Sequence, residues 1–175
     1  MTERMSAKDY ITLALQLEGL FEGEPDRIAN LANASALLNE TLEDINWAGF
    51  YFLKESTGNS AAESPTAELV LGPFQGRPAC VRIAIGRGVC GTAVEKDEVQ
   101  LVPDVHAFPG HIACDSASRS EIVIPLHADG KIVGVLDIDS PMMGRFTEED
   151  RHRLLLCEEA IERILKISLF VIPTP

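Results

Sequence analysis

No apolar run in this sequence approaches the roughly 20 residues needed to span a bilayer. The apolar tail, residues 167–175 (ISLFVIPTP), is far too short. The first ten residues, MTERMSAKDY, mix charges of both signs and hold no apolar signal core. Cations are scarce: 15 Lys and Arg stand against 27 Asp and Glu, a net charge of −12. A surface of that sign repels nucleic-acid phosphates and anionic lipid, so neither is expected as a partner. The chain also lacks any CxxC or HxxxH pair. A zinc site drawn from Cys80, Cys90, Cys114 and a histidine would therefore have unusual spacing, and no metal or cofactor is expected. Internal repeats and low-complexity segments are absent as well. These absences describe a cytoplasmic protein, in which a disulfide would be transient and catalytic or redox-sensing.

What remains is a chain of 175 residues, 46% hydrophobic, enough for one domain with a good core. Tyr10, Ile11, Leu13, Ala14, Leu17 and Leu20 predict an amphipathic helix over 7–21. Pro25 is placed to open a second helix presenting Ile28, Leu31, Ala32, Ser35, Leu38 and Leu42. Short strands are predicted at Trp47–Leu53, Glu68–Leu71, around Val81–Ile85 and at Val99–Val102. Gly72–Pro78 reads as a turn-rich connection and Lys54–Pro65 as a loop. A short helix is expected over Gly88–Lys96. Strands at Glu121–His127 and Lys131–Asp139 flank Asp129-Gly130, a strong hairpin signal. Thr147 precedes three acids and should cap a final helix. This order predicts an α+β domain, a central antiparallel sheet with helices packed on one face.

Three cysteines, Cys80, Cys90 and Cys114, fall within 35 residues of one another, in GRPAC, GVCG and FPGHIACDS. Neighbouring glycines and polar residues suit thiols that meet solvent and one another, as thiolate chemistry requires. Cys114 lies in a long loop, Asp104–Ser120, with His106 and His111 nearby. Either histidine could assist the thiol or simply dress the loop surface. Cys90 should sit in a first helical turn, where the helix dipole would lower its pKa. Its surroundings, Gly86-Arg87-Gly88-Val89-Cys90-Gly91, match GxGxxG. The helix that follows is too short for the parallel crossover of a dinucleotide fold, so a tight turn is the better reading. Cys157 occupies an apolar helical stripe and reads as a core residue.

Glu121, Asp137 and Asp139 form a second constellation. Alternation puts Asp137 and Asp139 on one strand face, and the hairpin brings Glu121 to the same end. Three acids there repel unless a cation joins them, and a ligand ammonium would serve. A solvated sheet edge, or salt bridges to Arg119 and Arg145, is the plainer alternative. Trp47 and Tyr51 could wall a small pocket, or be core.

The runs GPFQGRPACVRIAIGRGVCGTA, LVPDVHAFPGHIACDSASRSEIVIPL and GVLDIDSP resemble the free methionine-(R)-sulfoxide reductases, which are single-domain GAF proteins. The resemblance spans about residues 9–165 and leaves out the tail. It implies a GAF-like domain with an antiparallel sheet of about six strands. It implies reduction of free methionine-(R)-sulfoxide to methionine, with thioredoxin restoring the enzyme. Cys114 matches the family nucleophile, Cys80 the resolving cysteine, and Cys90 a third family cysteine. Glu121, Asp137 and Asp139 match the acids that hold the substrate ammonium, and Trp47 and Tyr51 the aromatic wall. A homodimer is compatible with this reading. The competing functions are a GAF sensor of small ligands and a thiol switch without turnover.

Overall fold

Asp129 and Gly130 both adopt positive φ, 53° and 72°. That is the geometry of a tight two-residue hairpin turn, and glycine takes it without steric cost. The turn joins β5 (Ser120–Ala128) to β6 (Lys131–Ser140). The two strands pair from Ala128 opposite Lys131 to Ser120 opposite Ser140. The computed structural model describes residues 5–55, 67–110 and 116–166. Around this hairpin stand β1 (Trp47–Glu55), β2 (Ala67–Gly76), β3 (Arg82–Ala84) and β4 (Gln100–Val102). The six-stranded sheet runs β3-β2-β1-β6-β5-β4, and every pairing is antiparallel. Pro125 is tolerated in β5 because β4 reaches only Glu121–Val123. No ladder bond on that side is left unmade.

Alternation along the strands divides the core in two. Ala48, Phe50, Ile122, Ile124, Leu136 and Ile138 face α1 (Ala7–Phe21), α2 (Arg27–Thr41) and α4 (Glu148–Lys166). Trp47, Tyr51, Val123 and Val135 face the other way, toward α3 (Gly88–Lys96) and the segments around it. Helices thus cover both faces, not one as the element order suggested. A helix as short as α3 needs only Val89, Cys90, Ala93 and Val94 to bury itself.

Two other expectations shift. Asp26 caps α2, accepting from the Ala29 amide at 2.9 Å, so Pro25 precedes the cap. Asn30 and Ala34 are buried there, while Ile28 stays 71% exposed and Ala32 is exposed too. Strand β2 continues through Phe74 to Gly76 where a turn-rich connection was expected, because β1 supplies a partner along that whole stretch. The helix starting after Thr147 is capped as expected: the Asp150 amide donates to Thr147 Oγ1 at 3.2 Å, and the Thr147 amide to Asp150 Oδ2 at 2.8 Å. The same Asp150 accepts from the buried Tyr10 hydroxyl at 2.7 Å, tying α1 to α4.

Removing that donor leaves the Asp150 carboxylate with one partner fewer. Tyr10→Phe should cost about 1.5–3 kcal/mol of stability, the range for a hydrogen bond to a charged group. Urea denaturation checks this, and an unchanged midpoint would contradict the assigned role.

Candidate active site

Glu121 and Asp139 stand directly opposite each other on β5 and β6, and Asp139 also faces Trp47 on β1. Two residues along, Asp137 lies between Val123 and Gly49. Register and alternation therefore gather the three acids and Trp47 on one face. They do not form a solvated edge. Glu121 is 5% exposed and Asp137 6%, while Asp139 is half-buried. Nor does Arg145 neutralise them: it pairs with Asp150 at 3.6 Å and donates from Nε to the Glu43 carbonyl.

Cys90 enters the same cluster from α3. Its Sγ lies 3.3 Å from Asp137 Oδ2 and 3.9 Å from Glu121 Oε1. Loss of solvent pushes the Cys90 thiol well above its ordinary range, and the Asp137 and Glu121 charges push it further. The expected dipole-lowered, accessible thiolate is thus overturned, since burial and two carboxylates outweigh the end of a nine-residue helix. Burial likewise raises Glu121, assisted by the Asp137 charge. It lifts Asp137 to about 6 against the pull of hydrogen bonds from Cys90 and Glu121. Both shifts favour the protonated forms of the two neighbouring carboxyls. Asp137 Oδ1 remains buried without a hydrogen-bond partner. A cationic donor would satisfy that oxygen.

The GxGxxG run is the turn that delivers Cys90. A side chain at Gly91 would come within 2.3 Å of the Ala84 carbonyl oxygen. Only glycine lets α3 start so close to β3. With no parallel strands in the described sheet, the dinucleotide reading falls away.

The aromatic wall is also in place. Trp47 stacks on Tyr51 with ring centroids 5.9 Å apart and on Phe74 at 5.3 Å. Phe74 was missed in the sequence because its segment read as a turn; opposite Gly49, it completes the wall. Trp47 Nε1 donates to the Arg77 carbonyl at 3.1 Å, and the Tyr51 hydroxyl to the Cys80 carbonyl at 3.0 Å. Both bonds fasten the segment carrying Cys80 to the pocket face. Cys80 is disulfide-bonded, whereas Cys90 and Cys157 are free buried thiols. Cys157 lies in the helix-side core, as its apolar stripe predicts. Cys114, His111 and Asp115 lie outside the described residues. His106 is exposed on a short 3-10 turn.

The raised carboxyls carry a stability signature. The folded state binds protons more tightly at Asp137 than its ordinary 3.8 allows. Unfolding therefore releases protons in this range, and stability falls as pH rises from about 4 to about 6. Asp137→Asn removes the penalty. It should stabilise the ligand-free protein at pH 7 by about 1–3 kcal/mol, with the gain vanishing near pH 4. Thermal melts of both proteins across that range test this; a less stable variant at pH 7 would refute it.

The chain matches the GAF domain family over residues 32–165. It is 59% identical to Protein YtsP of Bacillus subtilis over 158 residues, 90% of this chain and 91% of that protein. It is 54% identical to the free methionine-R-sulfoxide reductase of Escherichia coli over 156 residues, 89% of this chain and 88% of that one. The crystal structure of free methionine-R-sulfoxide reductase from Neisseria meningitidis in complex with its substrate superposes with a TM-score of 0.83. Identity there is 42%, covering 96% of this chain and 95% of the other. The fold, the cluster of acids on its sheet and these similarities lead to one conclusion: this chain belongs to the GAF-domain family of free methionine-R-sulfoxide reductases.

Proposed function

We propose that this protein reduces free methionine-(R)-sulfoxide to methionine, with Cys114 as nucleophile, Cys80 as resolving thiol and thioredoxin as reductant. The observation that carries the reading is the buried Glu121–Asp137 pair beneath the aromatic wall, with Asp137 Oδ1 unpartnered. A substrate ammonium would pair with these acids and with Asp139, and would favour their ionised forms. Trp47, Tyr51 and Phe74 would pack against the thioether end. The Neisseria relative binds its substrate on the same fold.

The chemistry needs no cofactor. The Cys114 thiolate attacks the sulfoxide sulfur, and the oxygen passes to the cysteine as methionine leaves. With one proton taken from solvent, Cys114 becomes a sulfenic acid, oxidised by two electrons as the substrate is reduced by two. The Cys80 thiol condenses with it, giving a disulfide and water. A thioredoxin dithiol then exchanges with that disulfide. Cys80 in a disulfide, with Cys90 and Cys157 free, supports this assignment. Cys90 is then a pocket residue rather than the resolving thiol.

Methionine is quantified after incubation with dithiothreitol and each sulfoxide epimer, free or N-acetylated. The free (R)-epimer should be consumed over many turnovers. N-acetylation removes the ammonium and strands the acids, so kcat/KM should fall by about one to two decades, the cost of a charge-assisted hydrogen bond. Cys114→Ser should form no methionine. Equal rates for free and acetylated substrate would remove the carboxylates from amine recognition. A single turnover at most in the wild type would leave a thiol switch.

A further inference from the structure

The Cys90–Glu121–Asp137 cluster has a property that the reductase reaction does not use. One thiol sulfur and two carboxylate groups lie within 4.8 Å of one another, all buried. Tetrahedral zinc holds sulfur at about 2.3 Å and oxygen at about 2.0–2.2 Å, which places the two donors about 3.6 Å apart. The separations from Cys90 Sγ, 3.3 Å to Asp137 Oδ2 and 3.9 Å to Glu121 Oε1, bracket that value. Asp137 Oδ1, buried and without a hydrogen-bond partner, is a further oxygen on the same carboxylate. The three donors come from three elements, α3, β5 and β6, that the sheet holds in register.

We propose that Cys90, Glu121 and Asp137 form a site for a thiophilic divalent cation of the zinc and cadmium class, and that its occupation excludes the substrate ammonium. A cation of charge two suits a thiolate and two carboxylates better than an ammonium does. An ammonium has no use for the sulfur, whereas a soft metal binds it as thiolate. Binding displaces the Cys90 thiol proton, and any proton on the two carboxyls, to solvent. Harder cations such as magnesium, which want six oxygens, gain nothing from Cys90. Only the exclusion of substrate rests on the proposed function; the metal site stands on its own geometry.

The test uses the oxidised full-length protein, shown by thiol counting to retain two free thiols. Cadmium chloride is added and the ultraviolet cadmium–thiolate charge-transfer band is followed. The wild type and Cys157→Ala should give the band at one equivalent, and Cys90→Ser should not. Asp137→Asn should weaken cadmium binding by more than the roughly 10–100-fold that loss of an outer-shell partner costs. Zinc chloride should displace the cadmium, and free methionine should raise the apparent cadmium Kd in proportion to its concentration. No band in the wild type, or an undiminished band in Cys90→Ser, overturns the site. Cadmium held instead by His127, Glu158 and Glu162, the other close cluster of ligand side chains among the described residues, would show no thiolate band. Binding that methionine leaves unaffected overturns the exclusion. No turnover is needed for any of these readings, so loss of reductase activity and loss of metal binding are separate results.

Discussion

The register of β5 on β6 is the constraint from which the site follows. The turn at Asp129 and Gly130 starts the pairing, and an irregularity between Leu126 and His127 shifts it by one residue, so that Glu121 meets Asp139. A slip of one residue would exchange the two faces of a strand. Glu121 or Asp137 would then point into the apolar layer beneath α1, α2 and α4, and Ile122 or Ile138 would take its place. The helix-side core resists that exchange strongly, because it would have to accept a carboxylate. Packing on one face of the sheet thus enforces chemistry on the other.

That chemistry is held at a cost to the fold. Two carboxyls and a thiol share a volume from which water is largely excluded, and their protonated forms are favoured there. Buried acids with an unsatisfied oxygen are poor contributors to stability. The arrangement makes sense as preorganisation: groups that a cation would satisfy are already gathered, so binding need not assemble them. Tyr51, whose own ionisation is suppressed first by burial and then by the neighbouring acids, keeps its hydroxyl proton for the Cys80 carbonyl.

Much of this was legible in the chain. The Asp129-Gly130 turn, the two alternating strands and the Thr147 cap are local signals, and each formed as written. So did the placing of Glu121, Asp137 and Asp139 at one end of a hairpin, since it follows from the turn position; their common face also needed the register shift at Leu126–His127. Burial was not legible. GVCG looks like an accessible helix start until the sheet packs against that turn of α3, and only then does Cys90 become a buried neighbour of Asp137. The extension of β2 through Phe74 was hidden for a similar reason: Gly72, Pro73 and Gly76 carry turn chemistry locally, and pairing with β1 overrides it. Which residues of α2 face the core was also missed in part. A helix covered on one side permits several apolar stripes, and contacts with β1 and β2 choose among them.

Trp47 is the only tryptophan in the sequence. It is buried between Tyr51 and Phe74, lies opposite Asp139, and bonds the backbone three residues before Cys80. The tryptophan fluorescence of the protein therefore originates at a single point, where the acid cluster and the disulfide-bearing segment meet. Changes in charge at the acids, or in the position of the Cys80 segment, alter the field and hydrogen bonding felt by one indole. The fold carries its own optical probe, and no label is needed to follow what enters the pocket or what happens to the disulfide beside it.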